Sequence, residues 1–162
     1  MHKKRPQGNR LRRHRHSGCG NFYLITTCCR SRARVFADPS LGAIVAEEIT
    51  YSDDLHRTTT CAYTVMPDHL HWLFRLESGH SLQAVVRRVK GRSAFRINKN
   101  RQSVEPLWQP GFHDRVIRDD DSLADAGNYV IANPVRAGLV SNVREWPVWG
   151  LMLDKYWERN RG

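Results

Sequence analysis

Thr59–Met66 (TTCAYTVM), the breaker Pro67-Asp68 and His69–Leu76 (HLHWLFRL) decide the fold. The first run is rich in β-branched residues and the second in large apolar ones, the composition expected of strands packed in a sheet. So short a break between two strands makes an antiparallel hairpin the natural expectation. Outward from that hairpin, Asn21–Cys29 (NFYLITTCC) reads as an earlier strand. Between them, Pro39 opens the segment Ser40–His56, where Leu41, Ile44, Val45, Glu48 and Ile49 approximate helical spacing. After the hairpin, Ser81 is placed to cap a helix whose Leu82, Val85, Val86 and Val89 fall at i, i+3, i+4 and i+7. Pro106 and Pro110-Gly111 punctuate a loop before a fourth strand, Phe112–Ile117 (FHDRVI). The acidic stretch Arg118–Ser122 suits a helix start, where negative charge meets the positive end of the helix dipole. That helix is expected to end near Asn133, because proline disfavours helical geometry in the residue before it.

The resulting order, β-α-β-β-α-β followed by one more helix, predicts an α+β fold, a ferredoxin-like sandwich with an antiparallel sheet. Its two main helices cover one sheet face, leaving the other free to build a site. The expected organisation is a basic flexible arm over residues 1–18, one domain over 19–140, and a tail over 141–162 that packs back onto the domain. A chain of 162 residues is the size of one such domain. Its apolar runs fall short of the ~18 residues a membrane helix requires. The basic N-terminus lacks the apolar middle of a secretory signal, so the chain is expected in the cytoplasm, with no membrane partner. The four cysteines (Cys19, Cys28, Cys29 and Cys61) show no disulfide-scaffold or zinc-ribbon spacing and read as reduced.

The net charge of +10 is unevenly placed. Residues 1–37 hold ten Lys or Arg, Arg12 and Arg13 among them, and no acid. A second acid-free block between Glu77 and Glu105 contains Arg87, Arg88, Lys90, Arg92, Arg96, Lys99 and Arg101. Segregated cations of this kind suit a polyanion such as nucleic acid, whose affinity is dominated by phosphate neutralisation. A solvated, solubilising surface is the alternative for the arm.

His69 and His71 alternate with Leu70 along a strand, so both imidazoles project from one face. They make half of a metal site, or a merely hydrogen-bonded pair. Tyr129 and Asn133 stand four apart and share a helical face. A phenol can attack phosphorus and an amide oxygen can ligate a metal, but a core tyrosine and a capping asparagine fit the same spacing. On residues alone, both pairs remain open.

Met66–Phe74 (MPDHLHWLF), Leu107–Leu123 (LWQPGFHDRVIRDDDSL) and Asn128–Val140 (NYVIANPVRAGLV) resemble, in order and spacing, the signatures of the REP-associated tyrosine transposases. That family is a branch of the HUH single-tyrosine transposases, named for histidine, hydrophobic residue, histidine, and the likeness covers about residues 20–140. The resemblance implies that His69 and His71 ligate Mg²⁺ or Mn²⁺, that Tyr129 is the nucleophile forming a 5′-phosphotyrosine, and that Asn133 is the third ligand. Relatives vary at this last position. The implied substrate is single-stranded or hairpin DNA of the repetitive extragenic palindromic type, cut and rejoined by a monomer or homodimer. Arg12, Arg13, Arg87, Arg88, Lys90 and Arg92 are then candidate DNA contacts, and His113 is expected to pack rather than to approach the site. Two rivals stand beside this: a non-catalytic nucleic-acid-binding module, and a zinc site completed by Cys61.

Overall fold

In the computed structural model, residues 21–118 and 120–154 are described, with the backbone alone at 120 and 121. The elements follow the order β1 (Phe22–Cys28), α1 (Pro39–Asp54), β2 (Thr58–Met66), β3 (His69–Leu76), α2 (Leu82–Arg101), β4 (His113–Ile117), α3 (Asp120–Arg136) and β5 (Trp149–Leu151). The strands form one antiparallel sheet in the order β4-β1-β3-β2-β5. The α+β sandwich expected from the sequence is therefore present, enlarged by a fifth strand. The arm, with Arg12 and Arg13, lies outside the described residues, as do residues 155–162 of the tail.

Alternation along the strands sorts the sheet into two faces. Tyr23, Ile25, Leu70, Trp72 and Phe74 face α1 and α2 in the larger core, and Leu24, Leu73 and Ile117 face Leu123, Ala126 and Val130 of α3 in the smaller one. Trp72, Leu70, Phe74 and Ile25 are fully buried, and each such side chain contributes roughly 1.5–3 kcal/mol through removal of apolar area from water. Local signals agree with this packing. Asp38 caps α1 by accepting from Ser40 N at 2.9 Å, with Pro39 in the first turn, and Ser81 caps α2 by accepting from Ala84 N at 3.1 Å.

Two expectations need correction. First, α3 does not stop at Asn133 but runs through Pro134 to Arg136. Proline lacks the N–H that would bond to the carbonyl of Val130, and that oxygen is satisfied instead by Thr64 Oγ1 at 2.9 Å and Asn133 Nδ2 at 3.1 Å. The helix tolerates the proline because a neighbouring strand supplies the missing donor. Second, the segment after Leu139 adds β5 to the edge of the sheet, paired with β2 from Ala62↔Leu151 to Thr64↔Trp149. Gly150 lies opposite Tyr63, where an added Cβ would stand 2.6 Å from Tyr63 Cε1, so the ring occupies the space of a side chain.

Candidate active site on the α3 face

Register carries the site residues across the sheet. Thr26 pairs with His71 and with His113, and Thr64 pairs with His71, so this row shares the face covered by α3, while Cys28 and Met66 flank His69 one row on. His69 Nε2 and His71 Nε2 lie 3.1 Å apart. Two donors in adjacent octahedral positions at about 2.1 Å from an ion are roughly 3 Å apart, so the imidazole pair fits a shared divalent cation.

The other ring nitrogens are held from behind. His69 Nδ1 donates to Asp68 Oδ1 at 2.6 Å, and Asp68 Oδ2 accepts from Arg32 Nε at 3.1 Å. A carboxylate on Nδ1 fixes the tautomer that leaves Nε2 with a free lone pair. Burial pushes the Asp68 carboxyl up, but the His69 hydrogen bond and the nearby His69 and Arg32 charges outweigh it and hold the group below its usual range. Arg32 reaches Asp68 from a turn in which both Ser31 and Arg32 adopt left-handed backbone, with φ of 54° and 55°. Such geometry is costly for residues bearing a Cβ and is retained where a side chain must be aimed. His71 Nδ1 meets Thr26 Oγ1 at 2.9 Å. A hydroxyl can donate or accept, so Thr26 supports His71 Nε2 either as a donor to His69 or as a bare ligand. Burial, then the charges of His69, Arg136 and Arg32, push the His71 imidazole down to about 4, so it stays neutral and able to ligate at neutral pH.

The tyrosine approaches from α3 of the same chain. Thr64 Oγ1 docks the helix on the sheet through the Val130 carbonyl, and the adjacent Tyr129 lies 6.4 Å, centroid to centroid, from the His71 ring at an interplanar angle of 77°. It remains 46% exposed, open to a substrate. Asn133 shares its helical stripe, with Nδ2 donating to the Tyr129 and Val130 carbonyls at 3.1 Å and Oδ1 accepting from Arg136 Nη2 at 3.0 Å. Its amide oxygen keeps one lone pair beyond the Arg136 bond. Beside Tyr129, a cleft of about 440 Å³ runs between β4 and α3, lined by Arg115, Val116, Arg118, Ser122, Asp125 and Tyr129.

The other expected residues fall elsewhere. Lys90 and Arg92 are occupied within the protein: Lys90 Nζ donates to the Gln109 and Gly111 carbonyls at 2.7 and 2.6 Å, and Arg92 pairs with Glu48 at 2.6 Å. Glu48 is 2% exposed and also pairs with Arg96, so a buried carboxylate claims two of the block's cations. Arg87 and Arg88 are exposed on α2, which packs on the sheet face away from the histidines. His113, expected to pack, is exposed on the site face, because β4 is an edge strand and α3 covers only part of it. Among the described residues no three His, Cys, Asp or Glu side chains gather into a metal cluster, so Cys61 does not complete a zinc site. Asp68, Thr26, Arg32 and Arg136 were missed by the sequence reading. Asp68 carried a signal, its adjacency to His69, but served there only as a turn residue.

Comparisons with known proteins bear on this arrangement. A family model described as "Transposase IS200 like" matches residues 21–133. A Haemophilus influenzae protein named "Putative REP-associated tyrosine transposase" is 34% identical over 138 residues, covering 79% of this chain and 78% of its own length. An Escherichia coli K12 protein named "REP-associated tyrosine transposase" is 28% identical over 87 residues, covering 53% of this chain and 50% of its own. Among solved structures, a REP-associated tyrosine transposase bound to a REP hairpin is similar with a TM-score of 0.69 at 21% identity, covering 92% of this chain and 82% of that one.

Proposed function

Since the chain belongs to the IS200-like transposase family, in its REP-associated tyrosine branch, and is therefore an enzyme, we propose that it cuts and rejoins single-stranded or hairpin DNA through Tyr129, with a divalent metal on His69 and His71. The observation that carries the reading is convergence within one chain: two Nε2 atoms 3.1 Å apart, and a solvent-open phenol ring 6.4 Å from the nearer imidazole. A core tyrosine or a surface histidine pair has no need of the other.

In this reading Tyr129 Oη attacks the scissile phosphorus and gives up its proton to solvent. The O–P bond forms as the P–O3′ bond breaks, and the 3′ oxygen leaves with the electron pair and takes up a proton. The products are a 5′-phosphotyrosine and a free 3′ hydroxyl. The phosphodiester energy stays in the tyrosine link, so a second 3′ hydroxyl can attack it and reseal a strand without ATP. A bound Mg²⁺ or Mn²⁺ supplies Lewis acidity toward a non-bridging oxygen of that phosphate. His69 and His71 hold the ion's place, Asp68 and Thr26 hold the imidazoles, and Asn133 Oδ1 offers the third ligand.

The cleft between β4 and α3 gives an unpaired strand a path past Tyr129, with Arg115 and Arg118 available to its phosphates. Hairpin DNA is the favoured substrate because a related REP-associated tyrosine transposase has been solved on a REP hairpin. Arg87 and Arg88, with Arg12 and Arg13 of the arm, remain proposed contacts to more distant DNA. Lys90 and Arg92 are withdrawn from that role, being engaged with the protein. The working unit is proposed to be a single chain. The test uses hairpin DNA labelled at its 3′ end, with Mn²⁺. The wild type is expected to form a labelled covalent adduct stable to denaturation, and Tyr129→Phe to bind the hairpin but form none. Cleavage by Tyr129→Phe at the wild-type rate would refute the reading.

A further inference from the structure

Arg136 joins the active site only because α3 continues through Pro134. Tyr129, Asn133 and Arg136 then fall at i, i+4 and i+7 on one helical stripe. The Arg136 guanidinium lies over the Tyr129 ring, with Cζ 3.8 Å from its centroid. Nη2 donates to the Tyr129 carbonyl at 3.3 Å and to Asn133 Oδ1 at 3.0 Å. A guanidinium carries five N–H groups, and among the described residues those on Nε and Nη1 have no partner. Nor does Arg136 have an acidic partner among them. The contrast with its neighbours is informative: Arg32 is neutralised by Asp68, and Arg92 and Arg96 by Glu48. A solvent-facing cation, braced against the nucleophile's ring and left with unspent donors, is arranged for an anion arriving from outside.

We propose that Arg136 is a further catalytic residue, whose free N–H groups pair with a non-bridging oxygen of the scissile phosphate while its stacked plane holds the Tyr129 ring. This rests on the tyrosine mechanism proposed above. As the Tyr129 Oη–P bond forms and the P–O3′ bond breaks, the non-bridging oxygens carry negative charge through the transition state, and a preorganised guanidinium stabilises that charge. Arginine suits the role better than lysine, because one planar group can stack on the ring and present paired donors together.

The experiment compares wild type, Arg136→Ala and Arg136→Lys on hairpin DNA carrying either an ordinary phosphodiester or a methylphosphonate at the cut, the latter lacking the charge to be neutralised. Adduct formation by Arg136→Ala on the ordinary substrate is expected to fall about 100-fold or more, with hairpin affinity within threefold of wild type, and Arg136→Lys to recover only part of the loss. On the methylphosphonate isomer that the wild type accepts, the Arg136→Ala penalty is expected to shrink below about threefold. Should neither isomer react, saturable rescue of Arg136→Ala by methylguanidinium on the ordinary substrate takes its place. Equal penalties on both substrates, or no rescue, would leave Arg136 a prop for the helix end and overturn the proposal. Thermal unfolding and Mn²⁺ binding of each variant separate this from a misfolded site. If the wild type forms no adduct with any hairpin, the tyrosine mechanism itself fails; if it does and Arg136→Ala matches it, only the arginine's role is lost.

Discussion

Replacing Asp68 with asparagine tests whether the histidine pair is held for metal. The substitution keeps nearly the same shape while removing the charge that accepts from His69 Nδ1 at 2.6 Å and from Arg32 Nε at 3.1 Å. An amide can still present an oxygen to His69, but its NH2 then faces Arg32, donor against donor. Carboxylates behind ligating imidazoles typically affect metal affinity 10- to 100-fold. Asp68 is 22% exposed, so water replaces part of its field, and the expected loss is about 10- to 30-fold, or about 1.4–2 kcal/mol. Calorimetric or electron-resonance titration of the DNA-free chain with Mn²⁺ reads this directly. Arg32→Gln, which acts through Asp68, should weaken Mn²⁺ by a few-fold at most. Metal-free hairpin affinity should stay near wild type in both. An Asp68→Asn protein that binds Mn²⁺ within twofold of wild type would sink the claim. The same carboxyl has an acid-side consequence: its depressed pKa adds stability above the ordinary carboxylate range that disappears as pH falls, and Asp68→Asn should lack that loss.

His71 gives a second pH dependence. Its imidazole sits at about 4 in the fold against an ordinary 6.5, so stability from keeping it neutral is present above 6.5 and drains away as pH falls through 4. The full change is about 3 kcal/mol, and urea midpoints of metal-free protein should fall over that window while those of His71→Gln fall much less. Burial pushes the Cys29 and Cys61 thiols up to about 12, so both should resist iodoacetamide at pH 8 until the chain unfolds. Alkylation of either in the native state, mapped by mass spectrometry, would contradict that burial.

Elements with their own periodicity were readable in advance. The β2–β3 hairpin, the Ser81 cap and the Leu82–Val89 face rest on local pattern, and each appears at or near its expected place. What escaped depended on partners distant in sequence. β5 is three residues long with a glycine at its centre, too short to alternate, and exists because β2 offers it an edge. The residue skipped between Thr60 and Ala62, where Cys61 bulges, follows from no pattern in TTCAYTVM. Pro134 reads as a helix end in sequence because Thr64, 66 positions before Val130, could not be foreseen as the donor to the Val130 carbonyl. Arg136 was lost with that missing turn. Similarly, the basic block looked free because charge counts do not reveal that Glu48 lies buried against Arg92 and Arg96. Within the candidate site, spacing singled out Tyr129, His69 and His71 and the family resemblance gave them roles, whereas Thr26 and Arg32 needed strand register and a strained turn.

The anchoring of the tyrosine helix has a kinetic consequence. Thr64 grips α3 midway, and beyond it Gly127 sits so close to Leu153 that an added Cβ would come within 2.9 Å of its Cδ1, while the chain next to Leu153 is stitched to β2. Lending the phenol to a neighbouring copy would therefore mean peeling an edge strand and opening the smaller core, a local unfolding event. Any such exchange would be slow, steeply temperature-dependent, and gated by the stability of β5 rather than by the reach of a linker.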